Sequence, residues 1–132
     1  SAAVLSELVK RLIEHLGQWC IEKVILSKQP DFIEKNQIIL DADQVGNIVL
    51  RYWKAGDRFS PRGINGSKKL ARVMRDLHIS ADERRIWPLV ADENHIYWIA
   101  FLRGSNYGLP DKNTKKYLLI TLKKENREDE ES

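Results

Sequence analysis

The stretch Trp87-Pro88-Leu89-Val90-Ala91-Asp92-Glu93-Asn94-His95-Ile96-Tyr97-Trp98-Ile99-Ala100-Phe101-Leu102 sets the texture of the chain. Two runs rich in apolar, β-branched and aromatic residues flank Asp92-Glu93-Asn94, a cluster of turn formers. It predicts strands over 87–90 and 96–102 joined by a hairpin turn. The same texture recurs over 19–26, 37–40, 47–53 and 117–122. Two helical pieces interrupt it. One runs from about Ser67 to Leu77; the other starts at Ser80, which forms a capping box with Glu83. Strands with inserted helices and no regular βαβ alternation predict an α+β domain, an antiparallel β-sandwich with short helices attached. Val4, Leu5, Leu8, Val9, Leu12, Ile13 and Leu16 recur at helical spacing before Gly17, so an N-terminal amphipathic helix or junction is expected over 1–18.

A chain of 132 residues with one cysteine is one domain that needs no disulfide, a composition suited to a reducing, cytosolic setting. Cys20, next to Trp19 and Ile21, is expected in the core, as are Trp19, Trp87 and Trp98. No apolar run reaches the roughly 18 residues of a membrane span. The end, 125–132, has five acids, one arginine and no apolar residue, and its composition predicts an acidic disordered tail.

Charge is concentrated in one place. Between Arg51 and Arg75 the cations Arg51, Lys54, Arg58, Arg62, Lys68, Lys69, Arg72 and Arg75 face one acid, Asp57. That segment carries +7 of a chain whose total is +3, so the remainder is −4. A basic patch on a mildly acidic body points to a polyanion, and nucleic acid is the commonest one in a cell. With Ser67 as N-cap, Leu70, Val73, Met74 and Leu77 share one helix face, and Lys68, Arg72 and Arg75 fall opposite. The loop before it, Gly63-Ile64-Asn65-Gly66, allows close approach, and a helix N-terminus attracts phosphate. The loop is no Walker sequence; its Gly-x-x-Gly spacing is that of a KH-type clamp. Asp57 is expected to pair with a neighbouring arginine, and Tyr52 or Trp53 to offer a face for stacking. His15, His78 and His95 are too scattered for a metal site with Cys20, no nucleophile–base set assembles, and no nucleotide-binding fingerprint is present.

The order Arg51-Tyr52-Trp53-Lys54-Ala55-Gly56-Asp57-Arg58-Phe59, then Pro61, Gly63 and Gly66-Ser67-Lys68-Lys69-Leu70, resembles the C-terminal domain of bacterial tRNA(Ile)-lysidine synthetase. Weaker matches extend the resemblance over about residues 20 to 123. They include Arg85, Pro88-Leu89, Ile96-Tyr97-Trp98-Ile99, Arg103 and Thr114-Lys115-Lys116-Tyr117-Leu118. His78, Ser80 and Phe101 depart from it, standing where the family usually has Lys, Pro and Gly. The resemblance implies a sandwich of unusual topology, shared with a domain of the phenylalanyl-tRNA synthetase β subunit. It implies that 19–124 is a tRNA-binding domain of an enzyme that uses ATP to join lysine to the wobble cytidine of isoleucine tRNA. The catalytic N-terminal domain, with ATP and magnesium, would be a partner outside this chain, and the setting cytoplasmic. Arg51, Lys54, Arg58, Arg62, Lys68, Lys69, Arg72 and Arg75 would contact tRNA, with Gly63, Gly66 and Ser67 shaping the approach. The alternative is a non-catalytic module that docks an acidic protein surface or forms a homodimer through the opening helix.

Overall fold

The computed structural model describes residues 13–125. Its first strands are β1 (Ile13–Leu16), β2 (Trp19–Leu26), β3 (Gln37–Asp41) and β4 (Val49–Arg51). An insertion follows, made of β5 (Arg58–Phe59), β6 (Lys68–Lys69), α1 (Leu70–Asp76) and α2 (Ala81–Arg84). The chain closes with β7 (Leu89–Ala91), β8 (Ile96–Ile99), β9 (Arg103–Gly104) and β10 (Tyr117–Lys124). All strand pairs are antiparallel. One sheet has the order β1-β2-β10-β3, the second β4-β7-β8-β9, and β5 with β6 forms a separate ribbon.

Burial periodicity fixes the layers. In β10, Leu118, Ile120 and Leu122 are buried and alternate with partly exposed neighbours, so this sheet has one packed face. Every residue of β7 and β8 is buried, so the second sheet is covered on both sides and forms the middle layer. Ile21, Ile38, Leu40, Ile120 and Leu122 of the first sheet meet Leu50, Val90 and Trp98 of the second. Beyond the second sheet, Leu89, Ala91, Ile96 and Ile99 pack under Phe59, Leu70, Val73 and Met74 of the insertion. Full burial of a side chain such as Leu70 or Met74, both 0% exposed, contributes roughly 1.5–3 kcal/mol. That anchoring turns the opposite face of α1 to solvent.

The hairpin forms around Asp92-Glu93-Asn94 as its sequence predicts, though its second strand ends at Ile99 and 100–102 turn into β9, and the Ser80–Glu83 capping box is present in both directions. The amphipathic-helix reading is corrected at its end. Ile13–Leu16 is a strand paired with Trp19–Glu22, and Gly17, expected to cap a helix, opens a two-residue hairpin turn at φ +59°. The tight turn puts Leu16 opposite Trp19, and strand pairing overrides the helical spacing there. Residues 1–12 and 126–132 lie outside the described residues, and with them the rest of the expected helix and most of the expected acidic tail. Cys20, expected in the core, is half-buried, because alternation along β2 sends Ile21 inward instead. Its thiol is pushed up by burial and by the nearby charges of Glu125 and Glu22. Of the tryptophans, Trp98 is buried; Trp19 and Trp87 are half-buried, and Trp87 donates its indole N–H to the Ala100 carbonyl at 3.0 Å.

Candidate nucleic-acid interface

The basic segment is the insertion between β4 and β7, and Asp57 organises its start. Its Oδ2 and Oδ1 accept from Arg51 Nη1 and Nη2 at 2.9 and 3.0 Å, and Oδ2 also accepts from the Lys54 N–H at 2.8 Å. Its carbonyl accepts from the Leu70 N–H at 2.8 Å, which ties the turn to the start of α1. Burial raises the Asp57 pKa, but the Arg51 hydrogen bond, the Lys54 N–H and the charges of Arg51 and Lys54 outweigh it, leaving the carboxyl below its ordinary value. Arg51, grouped with the phosphate-contacting cations from sequence, therefore spends its guanidinium on Asp57 and on the Tyr52 carbonyl.

Ser67, expected at the N-cap, does not cap the helix. Helix α1 begins only at Leu70, with Lys69 at the N-cap and no side-chain cap, while Lys68–Lys69 pairs with Arg58–Phe59 as a ribbon. Ser67 instead receives Arg58: Nε donates to its hydroxyl and Nη2 to its carbonyl, both at 2.9 Å. A seven-residue helix with an extended lead-in is not the lysine-dressed helix start that the spacing suggests. In the ribbon, Phe59 is 2% exposed and turned inward, so its partner Lys68 lies on the covered side. Arg58 and Lys69 are directly opposed on the outer side, both exposed. Like charges at such a position cost stability.

The loop over 60–67 is held by a residue that sequence reasoning overlooked. Asn106 donates to the Pro61 and Ile64 carbonyls at 2.9 and 2.8 Å and accepts from the Gly63 N–H at 2.9 Å. Nothing marks it in the sequence, because it lies more than 40 residues away and the fold brings it to the loop, through the Pro61–Ser105 bridge and the hydrogen bond from its own N–H to the Ser60 carbonyl. Gly63 and Gly66 take φ of +82° and +81°, and a Cβ at either would meet nothing within 4 Å. The backbone demands glycine there, and the space above it is open to a ligand. Arg62 lies over Gly104, with its Nη2 2.9 Å from where a Cβ would stand, and Arg103 donates to the Arg62 carbonyl at 2.9 Å.

On α1, Arg72 and Arg75 are exposed opposite buried Leu70, Val73 and Met74. Among the described residues, Arg51 alone of the eight cations has an acid within 4 Å. The aromatics divide. Phe59 is core, Trp53 is half-buried beneath the Arg84 guanidinium at 5.4 Å, and the Tyr52 hydroxyl fills the space beside Gly17.

Residues 48–120, which contain this whole insertion and the strands that frame it, match the TilS substrate C-terminal domain family. The chain belongs to that family. A tRNA(Ile)-lysidine synthase of Caldanaerobacter subterraneus subsp. tengcongensis is 39% identical over 115 residues, 86% of this chain and 25% of that protein. One from Clostridium acetobutylicum is 39% identical over 92 residues, 69% of this chain and 20% of that protein. The chain thus spans a fifth to a quarter of the length of these curated relatives. A solved structure described as a TilS C-terminal domain superposes with TM-score 0.73 at 24% identity, covering 86% of this chain and 91% of that one. An N-terminal fragment of the phenylalanyl-tRNA synthetase β-subunit from Pyrococcus horikoshii gives 0.54 at 14% identity, over 92% and 32%. These two likenesses bear out the sandwich of unusual topology.

Among the described residues the non-glycine positions with positive φ are His78 at 65° and Phe101 at 68°. Phe101 holds that conformation with its ring tilted against Trp19 and Trp98, at centroid distances of 5.6 and 5.9 Å. His78 stands one past the C-cap of α1. The His78 and Ile79 N–H groups donate to the Arg75 and Met74 carbonyls at 2.9 Å, closing a Schellman motif that favours glycine at the His78 position. His78→Gly is expected to stabilise the domain by about 0.5–1 kcal/mol, measured by urea unfolding.

Proposed function

We propose that this TilS C-terminal domain holds tRNA by its sugar–phosphate backbone and presents it to a catalytic domain of the same enzyme. The observation that carries the reading is the crowding of cations without acidic partners on the insertion: Lys54, Arg58, Arg62, Lys69, Arg72 and Arg75 are all exposed. Lys68 is half-covered at the ribbon, and Arg51 acts through the Asp57 turn. Gly63, Gly66 and Ser67 form the bare, shaped edge over which a phosphate backbone passes. Crowding like charges opposes folding, so it fits a surface whose partner supplies the missing anions. The chemistry implied by the curated relatives' name, with its ATP and magnesium, would lie in the catalytic domain, in the cytoplasm.

Titrating the domain with tRNA at several salt concentrations tests this. If about five phosphates are neutralised, log K falls against log salt with a slope of about −4. A slope near zero would overturn the reading.

A further inference from the structure

Beside the ribbon lies a cavity of about 260 Å³, lined by Arg58, Ser60, Ser67, Asn94, His95 and Tyr107 over a floor of Phe59 and Ile96. It has the volume of about nine water molecules, enough for one planar base and too little for a base pair. One wall is an aromatic pair, with the His95 and Tyr107 rings stacked at 3.8 Å and 16°. The pair is only partly covered: Tyr107 is 39% exposed and His95 half-buried. Its polar atoms are available. The Asn94 amide and the His95 ring nitrogens take no hydrogen bond among the described residues, and Tyr107 Oη has only a long 3.5 Å contact from Ser60 Oγ. The wall is nevertheless fixed, because Asp92 Oδ1 accepts from the backbone N–H groups of Asn94 and His95, both at 2.8 Å. At the mouth, Arg58 commits two of its five N–H groups to Ser67.

We propose that this cavity receives one unpaired nucleotide of the bound RNA. The base lies against the His95–Tyr107 pair, its edge meets Asn94 and the histidine nitrogens, and its phosphate meets the free side of Arg58. The inference rests on the RNA reading above. It adds a contact to a single-stranded nucleotide that a duplex backbone cannot make.

The test compares tRNA with a blunt RNA duplex, at two salt concentrations, for wild type, Tyr107→Ala, His95→Ala and Tyr107→Phe. Tyr107→Ala and His95→Ala are each expected to lower tRNA affinity about tenfold, with the salt slope and duplex affinity unchanged. Tyr107→Phe keeps the stack and should lose less. An equal loss on tRNA and duplex, or no loss on either, overturns the pocket while leaving the backbone reading standing. A direct readout needs no variant: adding a five-nucleotide single-stranded RNA should shift the His95 and Tyr107 ring resonances. Shifts confined to lysine and arginine side chains would refute the proposal even where tRNA binds.

Discussion

Reversing three exposed cations together, as Arg58→Glu, Lys69→Glu and Arg72→Glu, is expected to lower tRNA affinity by at least 100-fold at physiological salt. Each phosphate contact at that ionic strength contributes on the order of 1 kcal/mol through counterion release, and reversal adds repulsion to the loss. The measurement is a binding titration in parallel with thermal unfolding, and its force lies in the second arm. Arg58 and Lys69 face each other across the ribbon, both exposed and with no acid near either, so reversing both exchanges one like-charge pair for another and should leave stability within about 1 kcal/mol of wild type. Loss of binding without loss of fold assigns the cations to a ligand. Wild-type tRNA affinity in the triple variant would remove the insertion from the interface.

The largest expected effect on stability lies at Asp92, where Asp92→Ala should cost about 3 kcal/mol and on the order of 10 °C in melting temperature. This carboxylate is 7% exposed, and its Oδ2 accepts from the Tyr97 hydroxyl at 2.5 Å and the Gly46 N–H at 2.9 Å. With Oδ1 on the Asn94 and His95 N–H groups, its truncation would leave four donors without an acceptor, one of them on a tyrosine that is 1% exposed. Burial works to raise the Asp92 pKa, but these hydrogen bonds outweigh it and hold the group at about 2. Its contribution is therefore complete above the unfolded value near 4 and is lost as pH falls toward 2, about 2 kcal/mol in all. Burial and the neighbouring carboxylate push Tyr97 up, so its own contribution is present below about pH 10 and fades above it. Urea unfolding from pH 2 to 8 should show the acid loss in wild type and a flatter profile in Asp92→Asn. An equal acid loss in both would place the linkage elsewhere.

What could be read beforehand follows from the range of the interactions. The 87–102 hairpin and the Ser80 capping box rest on contacts a few residues apart, and both form as their sequences say. The reading failed where a distant group took over. Ser67 has the composition of an N-cap, yet Arg58 occupies its hydroxyl, and the residues that follow it, Lys68–Lys69, pair with Arg58–Phe59 as a ribbon. Ile13–Leu16 has helical spacing, yet β2 claims it through a two-residue turn. The charge cluster was legible as composition, while its division into a part-buried Arg51–Asp57 brace and a mostly exposed remainder required the fold. Asn106 and the His95–Tyr107 stack had no local signal, since each joins segments well separated in sequence.

The place of β10, inserted between β2 and β3, sets the order in which the domain can be completed. During synthesis β2 and β3 emerge early but share no edge; the strand that bridges them comes about 75 residues after β3. Until Tyr117–Lys124 clears the ribosome, Ile21, Ile38 and Leu40 have no Leu118, Ile120 or Leu122 to close against. The nascent chain therefore carries half of its sandwich open, and the final strand acts as a late lock. The basic insertion leaves the ribosome well before that lock is available.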